Sequence, residues 1–295
     1  MSKRILVIGG SGFIGSHTAD QLSDAGYRVT ILDKEKSRWL REDQEMIEGD
    51  YLDRKLINDS LKDMDYIYHF GAVADIGESK KEPLKTIEHN VLGITYLLES
   101  IRESSVKRLM YASTAYVYSN QGSFYRVSKQ SAESIIEEYS KEYGINYTFL
   151  RYGSLYGKRS QSWNGIKKFL TQIMQYGLID YSGNGKEIRE YINVEDAAKI
   201  SVNLIQDKYI NQALMVTGQQ VIRVNDLFEM IFEILGKDFS VNYSQSFRED
   251  HYGNTPYRYT PKNAKKIVPS EFVDLGQGLL DVIEEINTEN YLDEN

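Results

Sequence analysis

Ile5-Leu6-Val7-Ile8-Gly9-Gly10-Ser11-Gly12-Phe13-Ile14-Gly15 stands near the start of the chain, and Val29-Thr30-Ile31-Leu32-Asp33 follows one helix length later. Four apolar residues in a row read as a strand buried on both faces. A helical pattern then runs to about Ala25 and stops at Gly26, a residue type that ends helices readily. A second apolar strand closes on an acid, Asp33. Strand, glycine turn, helix and strand within about 30 residues make a βαβ unit.

The glycines have separate physical tasks. Gly9 permits the tight turn off the strand. Gly12 lacks a Cβ and lets a pyrophosphate approach the backbone. Gly15 lets the helix pack close to the sheet. Phe13 and Ile14 lie between them and belong to the same predicted cofactor contact. The unpaired N–H groups and the dipole of the helix start favour phosphate charge. Asp33 can accept hydrogen bonds from an adenosine ribose diol, whereas a 2′-phosphate there meets like charge, so the acid argues for NAD over NADP.

Working outward, the 295 residues suffice for one large domain or two modest ones. Cysteine is absent, which excludes disulfides, thiolate catalysis and thiolate-held metal, and suits a reducing cytoplasm. No basic-then-apolar leader precedes the first strand and no apolar run reaches membrane-spanning length, so the expectation is a soluble cytoplasmic protein without a membrane partner. The net charge of −8, from 43 acidic and 35 basic residues, disfavours nucleic acid as a partner. A local arginine cluster could still hold an anionic small molecule. His17, His69, His89 and His251 lack metal-ligand spacing and read as packing or surface residues, so no metal is expected.

Strand and helix signals alternate through the first half. Met46–Asp50 reads as a strand end, and Tyr66–Phe70 as a strand running into Gly71-Ala72-Val73-Ala74. Pro83 to Ser104 reads as a long helix with proline in its first turn. Lys107–Ala112 is a strand, Tyr125–Tyr143 a helix with apolar Ala132, Ile135, Ile136, Tyr139 and Tyr143, and Asn146–Tyr152 another strand. This pattern predicts an α/β protein with a Rossmann-type, doubly wound parallel sheet. After a glycine-punctuated stretch from Gly153 to Gly165 come helices at about Ile166–Tyr176, Val194–Ile205, Val224–Leu235 and Leu275–Ile286, with short strands near Glu187–Asn193 and Ala213–Val216. The second half therefore reads as a smaller α/β subdomain interleaved with the sheet. The expected division is 1–157 for the cofactor, with a return segment near 186–206, and 158–295 mainly for the substrate. Ligands of such folds sit at the carboxyl ends of the strands.

The strand at Lys107–Ala112 leads into Ser113-Thr114-Ala115-Tyr116-Val117-Tyr118, and Tyr125-Arg126-Val127-Ser128-Lys129 follows. On a helix Tyr125 and Lys129 stand one turn apart on one face. An ammonium beside a phenol favours the phenolate, which makes Tyr125 a candidate general base. A hydroxyl at the strand end, Thr114, can bond the same substrate oxygen.

With these segments the chain resembles the extended short-chain dehydrogenase/reductase family, in particular its nucleotide-sugar epimerase and dehydratase branch. The likeness rests on Gly9 to Gly15, Gly49-Asp50, His69-Phe70-Gly71-Ala72, Gly77-Glu78-Ser79, Asn90-Val91-Leu92-Gly93, Ser113 to Tyr118, Tyr125 to Lys129, Leu150 to Gly157 and Arg189 to Asp196. The resemblance implies NAD as cofactor. It implies that Asp50 contacts adenine, with Tyr51 and Leu52 beside it, and that Phe70, Gly71, Ala72, Asn90, Ser113 and Tyr152 border the dinucleotide. Lys129 would bind the nicotinamide ribose and tune Tyr125. A nucleoside-diphosphate sugar would be held by Ser154 and Arg189, with Arg248 and Arg258, since guanidinium pairs with phosphate in a bidentate way. Relatives commonly dimerise through the two helices here placed at Pro83–Ser104 and Tyr125–Tyr143, so a homodimer is expected.

The sequence departs from the family pattern in several places. The Thr114–Tyr125 segment is about a dozen residues shorter than usual, beside the sugar pocket. Gly71–Ala74 contains no lysine, where some galactose epimerases carry one. Ser154 stands where many relatives have asparagine, and Lys158-Arg159 follows Tyr156-Gly157 where proline is common. Dehydratases of the family usually carry Asp-Glu directly after the catalytic threonine, and decarboxylases tend to carry an acid there. Ala115 and Tyr116 occupy those places here. The resemblance therefore favours 4-epimerisation of a nucleoside-diphosphate sugar. A keto-sugar reductase, a dehydratase, and a non-catalytic NAD-binding sensor or scaffold stand as alternatives.

Overall fold

The computed structural model describes residues 2–219 and 221–244. The first strand, β1 (Arg4–Ile8), is buried from Ile5 onward. It pairs in parallel with β2 (Arg28–Asp33) after α1 (Phe13–Asp24), as the opening stretch requires. β3 (Gln44–Glu48) extends the sheet beyond β2. The chain then forms α2 (Arg54–Ser60), which the sequence reading did not assign. Asp53 caps it, accepting from the N–H groups of Lys55 and Leu56 at 2.9 and 3.1 Å.

β4 (Tyr66–His69) returns to the other side of β1. The long helix expected from Pro83 is a composite: a short α3 (Ile76–Lys81), α4 (Pro83–Ile87), a π turn over Glu88–Leu92, and α5 (Gly93–Arg102). The π turn has a packing reason. Asn90 is 2% exposed, and its carboxamide bonds both backbone groups of Val73 and the Ser128 hydroxyl. A Cβ on Gly93 would lie 2.6 Å from the Tyr51 ring. Such single π turns often occur where a side chain is re-aimed for function.

β5 (Arg108–Thr114) is wholly buried and runs two residues further than predicted. A 3₁₀ turn (Ala115–Tyr118) leads to α6 (Ser123–Tyr143), which ends at Gly144 with φ of 71°. β6 (Tyr147–Tyr152) follows. The second half adds β7 (Ser154–Tyr156), α7 (Gly165–Tyr176), β8 (Ile179–Ser182), β9 (Ile188–Asn193), α8 (Val194–Asn203), β10 (Gln212–Val216), β11 (Val221–Arg223), α9 (Val224–Ile234) and β12 (Val241–Ser244). The helix expected at Leu275–Ile286 lies outside the described residues, as do Arg248, Arg258 and His251.

The main sheet is parallel throughout, in the order β10-β6-β5-β4-β1-β2-β3. The order reverses between β1 and β4, which is the switch point where doubly wound sheets open a crevice. β10 comes from the second half and pairs with β6. Separate small sheets, β11-β9-β7 and β12-β8, pack with α7 and α9 around Ile173, Ile179, Phe228 and Phe232. The fold is thus Rossmann-like, with a smaller α/β element set woven into it. Among the described residues no helix is long and apolar enough to cross a membrane.

Candidate active site

At the switch point the main chains of the β1 and β4 exits nearly touch. Gly9 has φ of +78°, and a Cβ on it would lie 2.5 Å from the Gly71 nitrogen. A Cβ on Gly15 would overlap the Gly9 carbonyl oxygen. Gly12 differs: its nearest neighbour would be the Gly9 oxygen at 3.3 Å, so the space in front of it stays open. Gly9 thus turns the chain with a positive φ, and Gly15 packs against that turn. Asp33 ends β2 with one carboxylate oxygen accepting from the Ser11 N–H at 2.9 Å and the other from the Glu35 N–H at 3.2 Å. A carboxylate has about four acceptor sites, so capacity for a ribose diol remains.

These glycines border a cavity of about 1640 Å³. Of the residues singled out from sequence, Gly9, Gly12, Phe13, Ile14, Gly15, Asp33, Tyr51, Phe70, Gly71, Ala72, Ser113, Thr114, Tyr125, Lys129, Tyr152, Ser154 and Arg189 line it. Asp50, Leu52 and Asn90 do not. Asp50 pairs with the Lys34 ammonium at 2.8 Å and accepts from the Leu52 N–H at 2.9 Å. Burial pulls its pKa up, but these partners outweigh burial and hold it below the usual carboxylate range. Leu52 packs into the core beside Tyr51. Asn90 braces the wall from behind through Val73 and Ser128.

The three candidate catalytic side chains come from two elements that meet at the cavity. Thr114 ends β5, is 5% exposed, and accepts the Tyr116 N–H at 3.3 Å. Tyr125 stands half-buried in the first turn of α6, its N–H donating to the Ser79 hydroxyl at 3.2 Å. Lys129, one turn on, is 3% exposed and donates to the Ala112 carbonyl at 2.7 Å. Burial pulls the Lys129 amine down to about 7, against the opposing charge of Glu133. Glu133 is in turn clamped by Arg151 of β6 at 2.9 and 2.6 Å.

The short Thr114–Tyr125 segment is folded tightly. Gly122 has φ of +104°, and a Cβ there would lie 2.6 Å from the Tyr116 ring. The Tyr116 ring stands edge-on to that of Tyr125, with centroids 6.4 Å apart. Tyr116 and Gln121 both line the cavity.

Sequence reading missed other lining residues. Lys34, Lys85 and His89 form a polar rim: Lys34 donates to His89 Nε2 at 2.8 Å, and Lys85 pairs with Glu78 at 2.8 Å. Lys34 was within reach of inference, since it directly follows Asp33. Trp163, Lys168, Phe169, Tyr181 and Glu187 line the side built by the second half. Only their joint placement identifies them. Among the described residues no cluster of His, Asp and Glu is placed to hold a metal.

The dinucleotide fits the residues present. The glycine cradle leaves room where a Cβ would intrude, and the buried Ser113 hydroxyl, which has no protein partner, belongs to a residue that lines the cavity. A parallel sheet with this cradle at its switch point defines a Rossmann-type dinucleotide-binding protein. The chain belongs to the NAD dependent epimerase/dehydratase family, whose sequence profile matches residues 5–215. It is an enzyme of that family, and NAD is the family's cofactor.

Curated relatives include the UDP-glucose 4-epimerase of Yersinia pestis, 32% identical over 238 residues that make up 66% of this chain and 70% of that protein. They also include a UDP-N-acetyl-alpha-D-glucosaminuronate decarboxylase of Bacillus cytotoxicus, 25% identical over 262 residues, 79% of this chain and 81% of that protein. Among solved structures, UDP-glucose 4-epimerase from Thermotoga maritima with UDP-glucose superposes with a TM-score of 0.78 at 28% identity, covering 87% of this chain and 90% of that one.

Proposed function

We propose that the protein interconverts the C4 epimers of a nucleoside-diphosphate sugar, using NAD that stays bound. The observation that carries this reading is the pair Ala115-Tyr116 directly after Thr114, in a cavity that Thr114, Tyr125 and Lys129 all line. Ala115 has no group that transfers a proton, so the pair lacks the two carboxyl groups that dehydratases use to eliminate water. On the cavity wall Asp75 caps α3 by accepting the Glu78 N–H, Glu78 pairs with Lys85, Asp180 accepts from Asn242, and, among the described residues, Glu187 accepts the Asn184 N–H through one oxygen only.

NAD, when bound, supplies the acceptor for the C4 hydride and gives the hydride back. The chain's own residues handle the proton and the pose. The Thr114 hydroxyl bonds the sugar C4 oxygen and lines it up with Tyr125. Tyr125 takes the hydroxyl proton while the C4–H bond breaks, which leaves a C4 ketone. After the sugar turns over, Tyr125 returns the proton to the same oxygen, and the new C4–H bond forms on the opposite face. Arg189, with Arg248 and Arg258, holds the diphosphate, and Ser154 adds a hydroxyl contact. Residues 1–157 and the return segment near 186–206 serve the cofactor, and 158–295 mainly the sugar nucleotide.

We extend the reading to a cytoplasmic homodimer. Leu84, Ile87 and Leu92 on the composite helix, and Phe124 and Val127 on α6, are exposed large apolar residues, as a contact through those helices requires. A monomer mass by light scattering at micromolar concentration would remove the dimer.

The test of the reaction is NMR of the protein with UDP-glucose, UDP-N-acetylglucosamine and UDP-glucuronic acid in turn, with no reductant added. Epimerisation gives a C4 mixture from at least one of them. A 4-keto-6-deoxy sugar, or loss of carbon dioxide, would move the protein to the dehydratases or decarboxylases.

A further inference from the structure

The Lys129 amine is held from behind by β5. It donates to the Tyr111 hydroxyl at 3.3 Å and lies 4.6 Å from the centre of the Tyr111 ring. Tyr111 sits on β5, 1% exposed. The His69 ring on β4 stands 5.9 Å from it, centroid to centroid. The charged and titratable groups around the amine are therefore Tyr111, His69, Glu133 with its partner Arg151, and Tyr125. Burial, and then Lys129, push His69 down to about 3, so it faces the amine as a neutral ring at neutral pH. Burial pushes the Tyr111 phenol well above its ordinary value, so it remains a hydroxyl.

The roles proposed above treat Tyr125 and Lys129 as a pair that shares its protons. Once the pair has lost one proton, the other has two places to sit. On the amine, it leaves Tyr125 as a phenolate able to take the substrate's proton. On Tyr125, it leaves a neutral amine and no base. A buried amine alone prefers the second arrangement, because burial penalises charge. A hydroxyl oxygen that accepts from the ammonium, and an aromatic face beside it, both favour the first.

We propose that Tyr111 is a positioning residue acting through Lys129: its hydroxyl and ring keep the shared proton on the amine and so make Tyr125 the base. The proposal rests on the roles given above to Tyr125 and Lys129. Tyr111 and Ser113 lie two residues apart on one strand and face the same side, so β5 supplies both this support and a residue that borders the cavity.

The test is NMR of the NAD-bound protein labelled at the tyrosine ring Cζ, which separates phenolate from phenol. The Tyr125 signal is assigned by its loss in Tyr125→Phe. In the unaltered protein, Tyr125 shows phenolate at pH 8. Tyr111→Phe keeps the ring and removes the acceptor, and should shift the ratio of the two arrangements about tenfold towards the neutral amine. Tyr111→Leu removes both and should shift it further; if that variant does not fold, Tyr111→Phe decides alone. Lowered melting temperature with unchanged Tyr125 phenolate makes Tyr111 a packing residue and overturns the proposal. Absence of phenolate in the unaltered protein overturns the reading of Tyr125 itself, and the proposal with it.

Discussion

The cavity has two unlike sides. The side at the sheet is built from main chain: Gly9 and Gly71 at strand exits, and Gly12 and Gly15 at the start of α1, where a Cβ on Gly9 or Gly15 would collide with backbone. The side from the second half is built from side chains such as Trp163, Lys168, Tyr181 and Arg189, none of them buried, on short strands, loops and a helix start. Backbone contacts tolerate no substitution but distinguish poorly between ligands. Side chains can be exchanged, and they decide what binds. On the proposed reading, one side holds the dinucleotide and the other reads the sugar nucleotide.

The largest effect is expected where the two sides meet. Tyr125→Phe keeps the ring and removes the proton acceptor, so turnover should fall by about 10²-fold or more while bound NAD is unchanged. Rate and NAD content of the purified variant check this together.

The next effect tests the backbone side against itself. Gly9→Ala and Gly15→Ala put a Cβ into main chain, and each should cost about 2–3 kcal/mol and yield protein without NAD. Gly26 has φ of +83° but nothing within 4 Å of the added atom. Gly26→Ala should cost about 1 kcal/mol and keep NAD. Equal NAD loss in all three variants would mean that conformation, not the close approach, matters.

A third prediction concerns the buried support under the cofactor side. The folded His69 titrates at about 3, below an unfolded imidazole. Below pH about 6.5 the unfolded chain binds a proton that the folded protein refuses, so stability falls as pH drops from about 6.5 towards 3, by up to about 1.4 kcal/mol per unit. Above that range His69 contributes no pH dependence. His69→Phe should flatten the difference between urea midpoints at pH 7 and pH 5; an unchanged difference would assign the acid sensitivity to other groups.

The smallest effect lies on the side-chain wall. Arg189→Ala should raise KM for the nucleotide sugar about tenfold with bound NAD untouched. Loss of NAD with it would show that the two sides are not separate.

The same contrast explains what could be read from the sequence. The cradle was legible because four buried strand residues, three glycines and an acid carry backbone geometry in a contiguous stretch. That Thr114, Tyr125 and Lys129 reach one cavity was legible because strand end and helix turn fix their spacing. α2 escaped notice because seven residues give only two turns of pattern, although Asp53 marked its start. The π turn at Glu88–Leu92 has no compositional signature; the contacts of Asn90 with Val73 and Ser128 explain it only once folded. β7, β8, β11 and β12 are three or four residues each, too short to show a period of two. Tyr111 reads in sequence as one more apolar strand residue. Its hydroxyl matters only because α6 brings Lys129 over it.

In the proposed reaction one hydride leaves C4 and returns to C4 within a single site. The most direct measurement uses the nucleotide sugar that the protein epimerises, deuterated at C4, with no added cofactor. The expected product keeps its deuterium at C4, with no net release of NADH. Washout of the label into solvent, or turnover that consumes added NADH in step with product, would contradict it.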